Sequence, residues 1–269
     1  MASNLVSIQR RGFGQTMRKD WWWVSPLLTF LGLGAFVVYS TWAAFQGEHY
    51  LYEGGGAHYI SPFYSPEILG GTHSMFGPKP AWFPAWLPFS PALLILWAPG
   101  GFRFTCYYYR GAYYKAFWAD PLACAVGEPR HNYRGEKKFP LILQNIHRYF
   151  LYLALIFIVF LVHDIWKAIW FIGPDGQAHL GVGVGTLVLA ANAVCLSLYT
   201  FSCHSLRHLI GGAWDVLSNK PVRKAAYGCV SGLNKRHMQF AWLSLFVVGF
   251  SDIYVRLCSM GIWTDYKLL

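Results

Sequence analysis

The sequence predicts an all-α polytopic membrane protein of five transmembrane helices, N-terminus cytoplasmic and C-terminus external. Three observations predict it. Of the 269 residues, 55% are apolar and only 13% are charged, about half the charged share of an ordinary soluble domain. Apolar runs at about 24–45, 88–110, 143–166, 180–209 and 237–257 are each long enough to cross a hydrocarbon core of about 30 Å. Lysine and arginine collect on alternate sides of these runs. Eighteen lie in residues 1–23, 103–148 and 207–236, against Lys79, Lys167, Arg256 and Lys267 elsewhere, and the basic side is the cytoplasmic one. The net charge of +10 thus belongs to loops flanking a lipid bilayer, which argues against nucleic acid as a partner.

Residues 1–23 are basic and amphipathic and end in Trp21-Trp22-Trp23, an interfacial anchor. The first run, Val24–Phe45, is uncharged and too long for a signal-peptide core, so it reads as a retained span. Residues 46–87 form an external loop with Gly54-Gly55-Gly56, several prolines and His49, His58 and His73; short helical pieces are expected there. The second run contains Pro99-Gly100-Gly101, where a kink or local break is expected. In the fourth, Gly181, Gly183, Gly185, Ala190 and Ala191 permit close helix approach. In the fifth, Asp252 and Arg256 are spaced to neutralise each other. No internal repeat is apparent, and the chain reads as a single membrane-anchor domain, 1–269.

Chemistry concentrates at the inner ends of the spans. Tyr199-Thr-Phe-Ser-Cys203-His204-Ser-Leu-Arg207-His208 loads one helical turn with a thiol, two imidazoles and a guanidinium, His204 and His208 one above the other. Cys106 ends the second run, His147 opens the third and His237 opens the fifth. Cys124, in the loop Asp120–Pro129, can fold back onto the bundle. At about 1.5 Å of rise per residue these groups lie within about 10 Å of one another along the membrane normal. Six irregularly spaced cysteines give no disulfide framework. Two Cys plus two His is the ligand set of a Rieske-type [2Fe–2S] centre; the same set could hold structural zinc, and a facing pair such as His147 with His208 or His237 could be axial ligands of haem b. Arg110, Arg148 and Arg207 either snorkel to lipid phosphates or, beside Gln144, hydrogen-bond a quinone carbonyl. A transporter is disfavoured, since corresponding broken helices in two halves are missing.

The stretches Phe104-Thr-Cys106-Tyr-Tyr-Tyr-Arg110, Cys124-Ala-Val, Phe139–Phe150, Cys203-His204-Ser-Leu-Arg207-His208 and Asn234–Gln239 resemble the membrane-anchor subunit of the mycobacterial-type (type F) succinate dehydrogenase, a three-subunit respiratory complex II. The likeness covers roughly residues 102–260. It implies flavoprotein and iron–sulfur subunits docked on the cytoplasmic face of a bacterial cell membrane, and an embedded Rieske-type [2Fe–2S] cluster passing electrons to a membrane quinone. Carried over by position, the thiolates are Cys106 and Cys124, and two of His147, His204, His208 and His237 complete the set. The family has a Cys where this chain has Leu206, so that position is not a required ligand. Gln144, Arg148 or Arg207 would orient the quinone. The chain itself would hold no dicarboxylate site.

Overall fold

The computed structural model describes residues 19–71, 74–84, 89–117, 138–139, 141–212 and 214–269. The chain divides into two compact units, Met1–Ala35 with Phe104–Ile146 and Phe36–Arg103 with His147–Leu269.

Helix α1 (Val24–Gln46) carries no charge along its length, so lipid suits its side chains while its backbone bonds itself. The loop after it opens with an antiparallel hairpin, β1 (Leu51–Gly54) and β2 (Ala57–Ile60), instead of the expected helical pieces. Gly55 and Gly56 both take positive φ, which a tight two-residue hairpin turn demands. The predicted second span is resolved into α2 (Pro91–Ile95), α3 (Trp97–Phe104) and α4 (Tyr107–Ala116), none of span length. Pro99 accounts for the first join. It has no N–H to offer and is tolerated only in a first turn, so a new helix starts two residues before it. Gly100 and Gly101 then lie inside α3 and mark no kink.

A 3₁₀ turn (Leu141–Ile146) runs into α5 (His147–Ala168). Its buried residues His147, Leu151, Ala154, Leu161 and Ala168 recur at helical spacing and make one inward stripe. A second hairpin, β3 (Trp170–Ile172) with β4 (Ala178–Leu180), leads to α6 (Val184–Phe201). There follow α7 (His204–Gly211), α8 (Pro221–Asn234) and α9 (His237–Ser259). Four stretches among the described residues are long and apolar enough to span: α1, Ile142–Ala168, α6 and α9. The predicted run 88–110 is divided into shorter helices among the described residues, so it is not among these four. The predicted fourth span likewise stops at Phe201, and α7 is a separate short helix.

Within the second unit α9 packs on α6, and buried small residues of α9, among them Ala241, Ser244, Gly249 and Ser251, allow close approach of its neighbours. Asp252, fully buried, accepts from Tyr39 Oη at 2.5 Å, from Ser61 Oγ and from Arg256 Nε at 3.3 Å, tying α1, the hairpin loop and α9 together. Asp265 does the same for the ends of β2, α6 and α9: it accepts from Tyr59 Oη at 2.8 Å, Gly185 N at 2.8 Å and Tyr254 Oη at 2.7 Å.

Gly185, the glycine of α6, serves a ring and not a helix. A Cβ on Gly185 would lie 2.3 Å from Tyr59, whose ring is fully buried. Gly185→Ala is therefore expected to cost about 1–3 kcal/mol by overpacking, read as a lower melting temperature in detergent. Gly34→Ala, where nothing lies within 4 Å, is the matched control and should not lower it.

Candidate metal centre

Cys106 and Cys203 stand in the same local frame. Each is the extended residue between two helices, Cys106 (φ −61°, ψ 131°) between α3 and α4 and Cys203 (φ −65°, ψ 138°) between α6 and α7. Each is the N-cap of the second helix and each is buried, 2% and 1% exposed. The break at Cys203 has a clear cause. Cys203 N bonds Thr200 O at 3.2 Å, Ser202 Oγ donates to Tyr199 O at 3.0 Å, and Cys203 Sγ takes Ser205 N at 3.4 Å. The last carbonyls of α6 are thus closed off by a side chain and a tight turn, and the thiol caps the next helix.

The sequence carries a matching signal that the reading above missed. Phe104-Thr-Cys106-Tyr-Tyr-Tyr-Arg110 and Phe201-Ser-Cys203-His-Ser-Leu-Arg207 share Phe, hydroxyl, Cys and, four residues on, Arg. Cys203, passed over as a thiolate candidate, is the partner of Cys106 in this pattern. Cys124 lies outside the described residues.

Cys203 also has an imidazole against it. His147 Nε2 lies 3.0 Å from Cys203 Sγ, and both are buried. His147 stacks on Phe102 with ring centroids 4.6 Å apart and planes 9° apart. Phe102 meets Tyr199 edge-on at 5.4 Å, and Tyr199 stacks on His237 at 5.2 Å. Two candidate imidazoles therefore flank one two-ring layer. His237 Nδ1 lies 2.7 Å from Ser202 Oγ. With that hydroxyl's one proton on Tyr199 O, both contacts are satisfied when Nδ1 is the donor of the pair and the His237 lone pair is on Nε2.

His204 and His208 do lie one above the other, but they face each other: Nε2 to Nε2 is 2.9 Å. Burial pushes the His204 imidazole below its ordinary pKa, and His208 and Arg207 beside it push the same way, so one imidazole donates to its neutral neighbour. Of the proposed quinone contacts, Arg207 Nε donates to Ser231 Oγ at 3.0 Å and its guanidinium covers Tyr227, while Arg148 lies over Tyr149. Gln144 Oε1 is buried and has no hydrogen-bond partner among the described residues. Among those residues no three His, Cys, Asp or Glu side chains gather as a metal-binding group. What the second unit does assemble is a thiol and imidazoles of the right chemistry: a buried Cys–His contact and a second His with its tautomer fixed.

Behind the ring layer is a cavity of about 340 Å³. Phe102 and Tyr199 line it, with Arg103 and Thr200 beside them and α1, α5 and α9 supplying apolar walls. Arg103 is buried, donates to Ala241 O at 3.3 Å and Ser244 Oγ at 3.0 Å, and lies 4.6 Å over the Tyr199 ring.

Four span-length helices and an apolar cavity among them mark an integral-membrane subunit. Residues 24–261 match the family model described as actinobacterial succinate dehydrogenase subunit SdhC. The chain is also similar to a chain of the Mycobacterium smegmatis Sdh1 complex in the apo form, with 42% identity and a TM-score of 0.83 over 100% of this chain and 99% of that one. No curated protein sequence matches it. The chain belongs to the actinobacterial SdhC family: it is a multi-pass membrane-anchor subunit of succinate dehydrogenase, part of an enzyme complex with partner subunits, and holds no catalytic site of its own.

Proposed function

We propose that this subunit carries electrons from an iron–sulfur subunit, docked on its cytoplasmic face, through an embedded Rieske-type [2Fe–2S] cluster to a membrane quinone. The observation that carries the reading is the buried 3.0 Å contact of His147 Nε2 with Cys203 Sγ, two donors of the required kinds meeting where water and competing ligands are excluded. The donor chemistry fits the group. Cys203 would supply a thiolate and His147 and His237 the imidazoles; Cys106, presented at a helix break of the same local form, and Cys124, outside the described residues, are the candidates for the second thiolate. Bound there, the cluster would supply one-electron transfer at a potential raised by imidazole ligation.

The chain's own residues do the rest. Ser202 holds the proton on His237 Nδ1 and so keeps Nε2 as the electron-pair donor. Phe102 and Tyr199 seal the two imidazoles on one side. The reaction balances across the complex: succinate yields two electrons and two protons at the flavoprotein, and the quinone takes up two of each, giving fumarate and quinol. Haem b is the second reading. Against it, His147 Nε2 faces a thiol and His208 Nε2 faces His204, leaving neither aimed across an iron at the other.

In the purified complex, Cys203→Ser is expected to lose two irons per complex and the rhombic electron-paramagnetic-resonance signal of a reduced, His-ligated cluster, as is one of Cys106→Ser and Cys124→Ser, which marks the second thiolate. Retention of both by Cys203→Ser would overturn its assignment. Ser202→Ala, which removes the hydroxyl held against His237 Nδ1, should lower quinone reduction about 10–100-fold. Ser202→Thr should recover most of it; failure of the hydroxyl to rescue would remove Ser202 from the positioning role.

A further inference from the structure

We propose that the end of α5 remote from the candidate metal centre binds the headgroup of phosphatidylethanolamine, whose phosphate and primary ammonium match a cavity carrying both signs of charge. From His147 to Lys167 the helix climbs about 30 Å at 1.5 Å per residue, so this site belongs to the opposite leaflet. Trp166 and Trp170 meet edge-on beside it, ring centroids 5.5 Å apart, an aromatic pair of the kind that sits at headgroup level.

The cavity, of about 190 Å³, lies between α5 and the segment that follows β2. Phe160, His163, Asp164 and Lys167 recur at helical spacing and form one wall, and Ser65 and Glu67 stand on the other. Its two carboxylates are held differently. Asp164 Oδ2 accepts from Ser65 Oγ. Glu67 is 4% exposed and its Oε1 accepts from Tyr50 Oη at 2.6 Å, with Gly71 packed so closely that a Cβ there would strike the same oxygen. Glu67 Oε2 is buried with no hydrogen-bond partner, and no cationic side chain pairs with this carboxylate among the described residues. A buried carboxylate left without a counter-charge is costly, and a ligand cation relieves it. Lys167 and His163 line the same cavity and are exposed.

The signs select the ligand. A primary ammonium carries three N–H donors, enough to serve Glu67 and Asp164 together, while the phosphate takes Lys167 and His163. Choline has no N–H to give. Phosphatidylglycerol brings no cation to the carboxylates, and phosphatidylserine adds a further carboxylate to them. A divalent cation would sit beside Lys167, and among the described residues no three metal-ligating side chains gather. The acyl chains have a path as well: Ile156, exposed, and Phe160 continue the stripe of His163 and Lys167 towards the bilayer centre. A headgroup seated there ties the segment after β2 to α5.

The intact complex, stripped of lipid and re-equilibrated with equimolar phosphatidylethanolamine, phosphatidylcholine and phosphatidylglycerol, should retain the first over the others roughly tenfold by native mass spectrometry, the discrimination expected of charge-assisted hydrogen bonds. Glu67→Gln should abolish the preference over phosphatidylcholine. Lys167→Gln should lower retention of both lipids, and because Lys167 is exposed it keeps the proposal testable if Glu67→Gln does not assemble. In nanodiscs, phosphatidylethanolamine should raise the melting temperature of the wild type relative to phosphatidylcholine and leave that of Glu67→Gln unchanged. Glycerophosphoethanolamine, which lacks acyl chains, should not compete. Equal retention of the three lipids, a preference that survives both substitutions, full competition by glycerophosphoethanolamine, or a stoichiometric divalent metal released by Glu67→Gln would each overturn the assignment.

Discussion

Replacing His147 with alanine in the assembled complex should lower succinate-driven quinone reduction by roughly two orders of magnitude or more, while oxidation of succinate by a water-soluble acceptor stays near wild type. The asymmetry follows from where His147 is. It lies in the first turn of α5, buried, with Nε2 on Cys203 Sγ and its face on Phe102; no dicarboxylate chemistry takes place in this chain. Deleting the imidazole leaves Cys203 without that neighbour and opens a void beside Phe102, so some loss of stability accompanies the loss of rate. His204→Ala separates the two effects. It removes an imidazole of the same helix-break region whose partner is His208, and it should cost much less activity. Equal losses in the two variants would mean that His147 acts through packing.

The largest effect on stability is expected at the opposite end of the bundle. Asp252→Ala should destabilise the subunit by about 3–5 kcal/mol, the usual penalty for stranding one partner of a buried ion pair. Arg256 is 3% exposed, keeps Glu48 O at 2.8 Å and the face of Trp42, and loses its counter-ion; Tyr39 and Ser61 lose their acceptor together. The double variant Asp252→Leu with Arg256→Met should recover a good part of that loss, because two desolvated charges are removed at once. Thermal unfolding of the purified complex measures both. A double variant less stable than Asp252→Ala would show that the network of hydroxyls, and not the charge pair, holds α1, the hairpin loop and α9 together.

The sequence was most legible where a single rule operated over many residues. Apolar runs of about 20 residues placed α1 and α9 to within a residue or two and α5 to within four, because nothing but a helix satisfies the backbone in lipid. Breaks were legible only where proline caused them. Pro99 divides the second run, but the breaks at Cys106 and Cys203 contain neither Gly nor Pro. The break at Cys203 arises from a local exchange in which Ser202 and a tight turn close α6 and a thiol caps α7, and hydropathy is blind to that. Both hairpins escaped for a related reason: strands of three and four residues between glycines give too short a pattern to register.

At the candidate centre, spacing could name residue types, and which of them meet depends on side-chain geometry that spacing does not carry. Helical periodicity put His204 and His208 on one face; it could not show that they would face each other. Cys124 matched a family stretch, yet the repeated Phe-hydroxyl-Cys pattern, visible in the sequence, pointed to Cys203. Ser202 was unreadable as a positioning residue, since its role needs Tyr199 O and His237 Nδ1 at once. Arg103 lay inside an apolar run and was counted only as a basic residue near a loop.

Pulsed electron-paramagnetic-resonance spectroscopy of the reduced complex, with histidine labelled with the heavy nitrogen isotope, tests the account most directly. It predicts a rhombic signal coupled to two histidine nitrogens, with one coupling absent in His147→Ala and the other in His237→Ala. A complex whose only paramagnetic clusters lack histidine nitrogen, or whose visible spectrum shows the sharp bands of a bis-imidazole haem, would contradict it.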